Sequence, residues 1–250
     1  MLRLKFCALM ALLFLAAQAA FTQQFWETKP FLKWSKAETE KMLSDSPWSQ
    51  HISLANPGVQ GINPRAFAGI AGTQRGAAAQ TNAAEAEHQD NPHLTYTLQL
   101  RSAIPVRRAV ARSLQLEKRY ESMSAEQQTA LDAKINAYLA LPQDELVVYV
   151  AYTSNVGNYV DSLRRYWGQQ TYDLLKNSVY LIAGKDRLQL TGYGATNGAF
   201  QFNFPRPDDL SLDDSLTVEF VHPAIGLIAS ERLLVEFKLK NMLIGGKPVM

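Results

Sequence analysis

The sequence predicts an α+β fold: three central helices with a mainly antiparallel sheet and a C-terminal β-meander. Helix signals gather between residues 105 and 175, and clean two-residue alternation fills the stretch after residue 179. A continuous apolar run at 146–152 lies among the helices, the pattern of a central strand.

Four segments follow from the chain's composition: 1–19, a signal peptide; 20–55, an N-terminal helical segment that docks on the core; 56–92, a flexible Ala/Gly/Gln-rich insert; and 93–250, the α+β domain. In the first, Arg3 and Lys5 precede the apolar run 6–17, and Ala17-Gln18-Ala19 offers small residues for cleavage. That run is shorter than the roughly 20 residues that cross a bilayer, and no second such run follows, so the mature chain is expected to have no transmembrane segment. Export to the periplasm or medium is the expected localisation. Cys7, the only cysteine, lies within the run, so a disulfide-free mature chain is expected. Taking Arg3 and Lys5 from the 25 basic residues leaves 23, matched by 23 acidic ones. That balance gives no long-range attraction to nucleic acid or anionic lipid, and neither is expected as a partner.

In the second segment, Ser35-Lys36-Ala37-Glu38 has capping-box spacing, and Asp45-Ser46-Pro47 ends the short helix that follows. Trp34 and Trp48 flank that helix. They are the candidate ligand or docking aromatics, with Trp26 and Tyr193 as further rings able to stack on a sugar. The third segment lacks periodicity and has few sizeable apolar residues.

In the fourth, Leu94, Tyr96, Leu98 and Leu100 alternate with polar residues as in a half-buried strand. Pro105 suits the first turn of a helix that places Val106, Ala109, Val110 and Leu114 on one face. A second capping box at Ser124 and Gln127 opens a helix expected to bury Leu131, Ile135, Tyr138 and Leu139. A third, starting near Asn158, is expected to turn Val160, Leu163, Trp167, Leu174 and Leu175 inward. Strands are expected near 179–183, 187–193, 199–204, 216–221 and 232–240, with Phe200, Phe202 and Phe204 on one face.

No catalytic residue, cofactor site or metal site is expected. His88 and His93 lie with Glu85, Glu87 and Asp90 in linker-like sequence without metalloprotease spacing. His222, before Pro223, is expected at a strand end, as a turn residue. Gly192, Gly194 and Gly198 join two strands, which suits a hairpin and not a phosphate loop. Asp208, Asp209, Asp213 and Asp214 crowd one loop; their oxygens suit calcium, but the spacing is not that of an EF-hand. Arg107, Arg108 and Arg112 are expected on a solvated helix face, as are Arg164 and Arg165.

Two stretches resemble a family of uncharacterised exported proteins frequent in Acidobacteria. One is Lys29-Pro30-Phe31, Trp34-Ser35, Glu38, Met42-Leu43 and Asp45-Ser46-Pro47-Trp48. The other is Phe204-Pro205-Arg206, Val218-Glu219-Phe220 and the tail from Phe237 to Met242 with Gly246-Lys247. The insert and Pro248 depart from the family pattern. The resemblance implies export and a shared fold, and it carries over no activity.

The expected function is a non-enzymatic binding or structural protein of the cell envelope, with an unknown envelope or extracellular partner. The alternative is a secreted hydrolase with a site at the helix–sheet boundary. A cleft of converging polar groups with shifted pKa values favours the enzyme; an aromatic-lined groove or exposed strand edge favours binding.

Overall fold

The computed structural model describes residues 24–55 and 92–250. The expected signal peptide and nearly all of the expected insert lie outside the described residues.

The described chain opens with α1 (Phe25–Thr28), a 3-10 turn (Phe31–Lys33), α2 (Lys36–Ser44) and β1 (Ser49–Ala55). The capping box forms as its spacing predicts: Ser35 Oγ accepts from Glu38 N at 3.2 Å, and Glu38 Oε2 accepts from Ser35 N at 2.7 Å. The Lys29 ammonium and this Ser35 bond hold the Glu38 carboxyl below the usual range. Ser46 and Ser49 hydroxyls both donate to Met42 O at 2.8 Å, closing α2 and launching β1.

β2 (His93–Leu100), α3 (Ile104–Glu117), α4 (Ala125–Ala140), β3 (Glu145–Ser154), α5 (Gly157–Gln169) and α6 (Tyr172–Leu175) follow. The chain ends in β4 (Tyr180–Ala183), β5 (Asp186–Gln189), β6 (Gly192–Thr196), β7 (Ala199–Pro205), β8 (Ser215–His222), β9 (Glu231–Lys238) and the small β10 (Leu243–Ile244) and β11 (Lys247–Pro248).

The fold is α+β with antiparallel sheets, as expected. Of the two large sheets, one has the order β1-β2-β3-β7-β6 and the other β5-β4-β8-β9, while β10 and β11 pair separately. The expected meander takes the form of three hairpins, β4–β5, β6–β7 and β8–β9, dealt alternately to the two sheets. The segment expected near 187–193 splits at Leu190-Thr191, where the chain crosses between sheets. β3 holds the central place that its apolar run predicts.

The sheets pack face to face. Tyr96 and Phe202 of the first meet Phe220 of the second, with ring centroids 5.5 and 5.8 Å apart. Trp167 of α5 stacks on Phe200 at 4.0 Å and meets Phe220 edge-on. This helix therefore contributes directly to the shared core, and such aromatic pairs add about 1 kcal/mol each beyond area burial. In the β8–β9 loop, Gly226 has a φ of +57°, and the Tyr159 ring of α5 fills the space a Cβ would need. The Tyr159 hydroxyl accepts from Leu227 N at 3.0 Å, which fastens this loop to the helix.

Helix faces differ from expectation in places. Leu114 and Leu174 are exposed, and Val160 is half-buried. Leu174 misses the core because α5 stops at Gln169 and Thr171 caps a separate turn, which resets the helical phase. α4 fully buries only Ile135 of its expected face, because it lies along α3 at the rim of the molecule.

Candidate functional site

Both candidate tryptophans are anchors in the core. Trp34 is 1% exposed; its Nε1 donates to Lys29 O at 3.0 Å, and Phe25 meets its ring edge-on. Trp48 is 0% exposed; its Nε1 donates to Val249 O at 2.6 Å, and Trp26 stands edge-on at 5.6 Å. Neither ring has a free face for a sugar. Tyr193 is half-buried and donates to Trp167 O at 2.5 Å.

The expected solvated arginine face is corrected. Arg107 and Arg112 are both buried, and only Arg108 of the three is partly open. Arg107 donates to the carbonyls of Leu141 and Tyr138, capping the C-terminus of α4. Arg112 Nε donates to Trp34 O at 2.9 Å, and its other nitrogens reach Gln115 and Glu121 at 3.2 Å. Backbone acceptors far along the chain call these cations inward, and spacing within the helix cannot reveal them. Arg164 and Arg165 do lie on an exposed face, with Asp161 and Ser162 as partners.

His222 ends β8, the strand end expected, but it is a core residue and not a turn residue, 0% exposed. Trp167 Nε1 donates to the Tyr96 hydroxyl at 3.4 Å, and that hydroxyl lies 2.9 Å from His222 Nδ1. The hydroxyl proton is thus free to reach Nδ1, which places the imidazole proton on Nε2, a buried atom with no hydrogen-bond partner. Burial pushes the His222 pKa down to about 4 and the Tyr96 phenol up. His51 and His93 are exposed, and His88 lies outside the described residues.

Asp214 of the acidic loop accepts from Ser211 N at 2.7 Å, a bond that holds its carboxyl below the usual range. Among the described residues, no group of three or more His, Cys, Asp or Glu side chains is placed to hold a metal. Gly198, with φ +87°, makes the β6–β7 hairpin turn that its sequence predicts.

The candidate site is a groove at the seam where β1 runs beside β9. A hollow of about 580 Å³ is lined by residues including Gln24, Trp26, Lys41, Asp45, Gln50, Lys240 and Asn241. A neighbouring hollow of about 320 Å³ adds Glu236 and Lys238, and the two share Pro47, Gln50 and Asn241, so they form one groove. α2 brings Lys41, the start of β1 brings Gln50, and the 3-10 turn Leu239–Asn241 brings Lys240 and Asn241. That turn is held by the fully buried Leu239 at its start and Met242 just after its end. Carboxamides both donate and accept, and ammonium groups donate three ways. They lie over the edge of the buried Trp26, together with the Asp45 carboxylate, and line the groove with donors and acceptors of both kinds. Sequence reasoning missed this site because its residues come from segments about 190 positions apart, and no local pattern links them.

No protein-family model matches the chain, and neither does any curated protein. Among solved structures, the chain is similar to a protein of unknown function from Burkholderia pseudomallei. The two are 12% identical over 69% of this chain and 89% of that one, with a TM-score of 0.37. A likeness at that level assigns nothing.

Proposed function

We propose that the chain is an exported, non-enzymatic protein of the cell envelope that binds a polar, acid-bearing saccharide in the seam groove. The observation that carries this reading is the groove itself, where Gln24, Gln50, Asn241 and three lysines, Lys41, Lys238 and Lys240, outnumber the carboxylates of Asp45 and Glu236 over the edge of the buried Trp26. Carboxamides satisfy sugar hydroxyls in both directions, and the lysines favour a carboxylate or similar anion. Export is supported by the charged, apolar and small-residue order of residues 1–19.

The alternative hydrolase has its site at the helix–sheet boundary. There Tyr96, His222 and Trp167 are sealed in the core, where a substrate would have to displace packed aromatic rings.

Calorimetric titration with a panel of neutral and uronic-acid oligosaccharides tests the binding reading. Uronates are expected to bind, with Asn241→Ala and Lys240→Ala each weakening them by about tenfold, or about 1.4 kcal/mol. Absence of heat across the whole panel would reject it. Cell fractionation tests export: intact Met1 on protein recovered from the cytoplasm alone would contradict it.

A further inference from the structure

We infer that the outer face of the four-stranded sheet is a second binding surface, one that takes the carboxylate of an acidic, partly apolar peptide segment of a protein partner on Arg187 and Arg232. Glu219 of β8 lies between Tyr180 of β4 and Leu234 of β9 in the sheet register. Although it is on the outer face, it is only 5% exposed, because two arginines cover it. Arg187 of β5 crosses the Tyr180 ring at 3.6 Å and donates through Nη2 to both carboxylate oxygens, at 3.0 and 3.1 Å. Arg232 of β9 donates to Oε1 from the opposite side.

Two cations on one anion leave a positive charge in excess, and that charge is held in place. A guanidinium has five N–H donors, and each of these arginines spends one nitrogen on Glu219. Both side chains stay about half exposed, and their other donors have no protein partner among the described residues. The ring below Arg187 and the carboxylate between the two have already fixed the side chains, so a ligand pays little ordering entropy on binding. A second carboxylate fits the free edges of the forks bidentately. Beside them stand Leu234, 55% exposed, and Val221, paired with Arg232 in the register. Arginine, tyrosine and leucine around one fixed charge suit a protein contact. An anionic membrane is disfavoured: the remaining charges on this face, Glu236 and Lys238, pair with each other, and 25 basic against 23 acidic residues leave little net charge to draw the chain to a charged surface.

Fluorescence polarisation with the labelled, C-terminally amidated pentapeptide LDLEL and its uncharged, likewise amidated analogue LNLQL tests the inference on the full chain. LDLEL is expected to bind roughly tenfold more tightly than LNLQL and to weaken as salt rises. Arg232→Ala and Leu234→Ser are each expected to weaken it severalfold with an unchanged circular dichroism spectrum. If Arg232→Ala fails to fold, Leu234→Ser, at an exposed position, and the salt titration still decide. Equal affinity for the two peptides, or binding indifferent to Leu234→Ser, would overturn the inference. So would binding to phosphatidylserine vesicles that the Arg232 substitution abolishes. Lys240→Ala is expected to leave LDLEL binding intact, so failure here and failure of the groove are distinguishable.

Discussion

The indole of Trp48 donates to the carbonyl of Val249 at 2.6 Å, joining positions 201 residues apart. A second bond nearby, from Arg206 Nη2 to Met250 O at 2.8 Å, holds the same stretch. Since α2 is only nine residues long, it needs tertiary burial to persist in water. Trp48 and Trp34 supply that burial, one against the end of the chain and the other with its ring against Phe25, while its carbonyl accepts from Arg112 of α3.

Trp48→Ala and Trp34→Ala are each expected to cost about 3–5 kcal/mol, read as a lower urea midpoint. Trp48→Phe keeps most of the ring but loses the bond, and is expected to cost about 1–2 kcal/mol. Unshifted midpoints for both alanine variants would contradict docking.

Arg112→Lys is expected to rescue little. The ammonium lacks the fork that reaches Trp34 O, Gln115 and Glu121 together, so a loss of about 2 kcal/mol or more is expected. Wild-type stability in urea denaturation would count against the role given to this side chain.

Much of this scaffold is legible in local sequence. The capping boxes at Ser35 and Ser124 formed as spaced, because their partners lie three residues away. Phe200, Phe202 and Phe204 alternate and share the core. By contrast, β1 has no signal to match, since Gln50 shares its inner-facing positions with Ile52 and Leu54. Arg112, His222 and the seam groove were illegible for another reason: their surroundings come from distant segments, and only the folded chain brings those together.

Ala55 and His93 are register partners at the end of the β1–β2 pair. The chain therefore leaves and re-enters the sheet at neighbouring positions. Replacing residues 56–92 with Asn-Gly, which suits a two-residue hairpin, is expected to keep the fold and raise stability by about 2 kcal/mol through the shorter loop. Thermal unfolding checks this, and a loss of cooperative melting would refute it.

His222 gives the fold a pH dependence of definite sign. Its folded pKa, about 4, lies below the unfolded value of 6.5. As pH falls below 6.5 the unfolded chain takes up the proton first, so stability is lost down to about pH 4 and is fully present above 6.5. The difference amounts to roughly 3 kcal/mol. Urea denaturation of the wild type and His222→Phe at pH 7 and 4.5 isolates it: the wild type is expected to lose about 2–3 kcal/mol more than the variant. Equal losses would show that His222 titrates normally.

The central claim is that the seam groove binds ligand, and an amide-proton NMR titration with an oligouronate tests it most directly. The account predicts saturable shifts at Gln50, Lys240 and Asn241, with Tyr180 and Arg187 on the other sheet unmoved. Shifts confined to residues outside the groove, or none at saturating oligouronate, would contradict it.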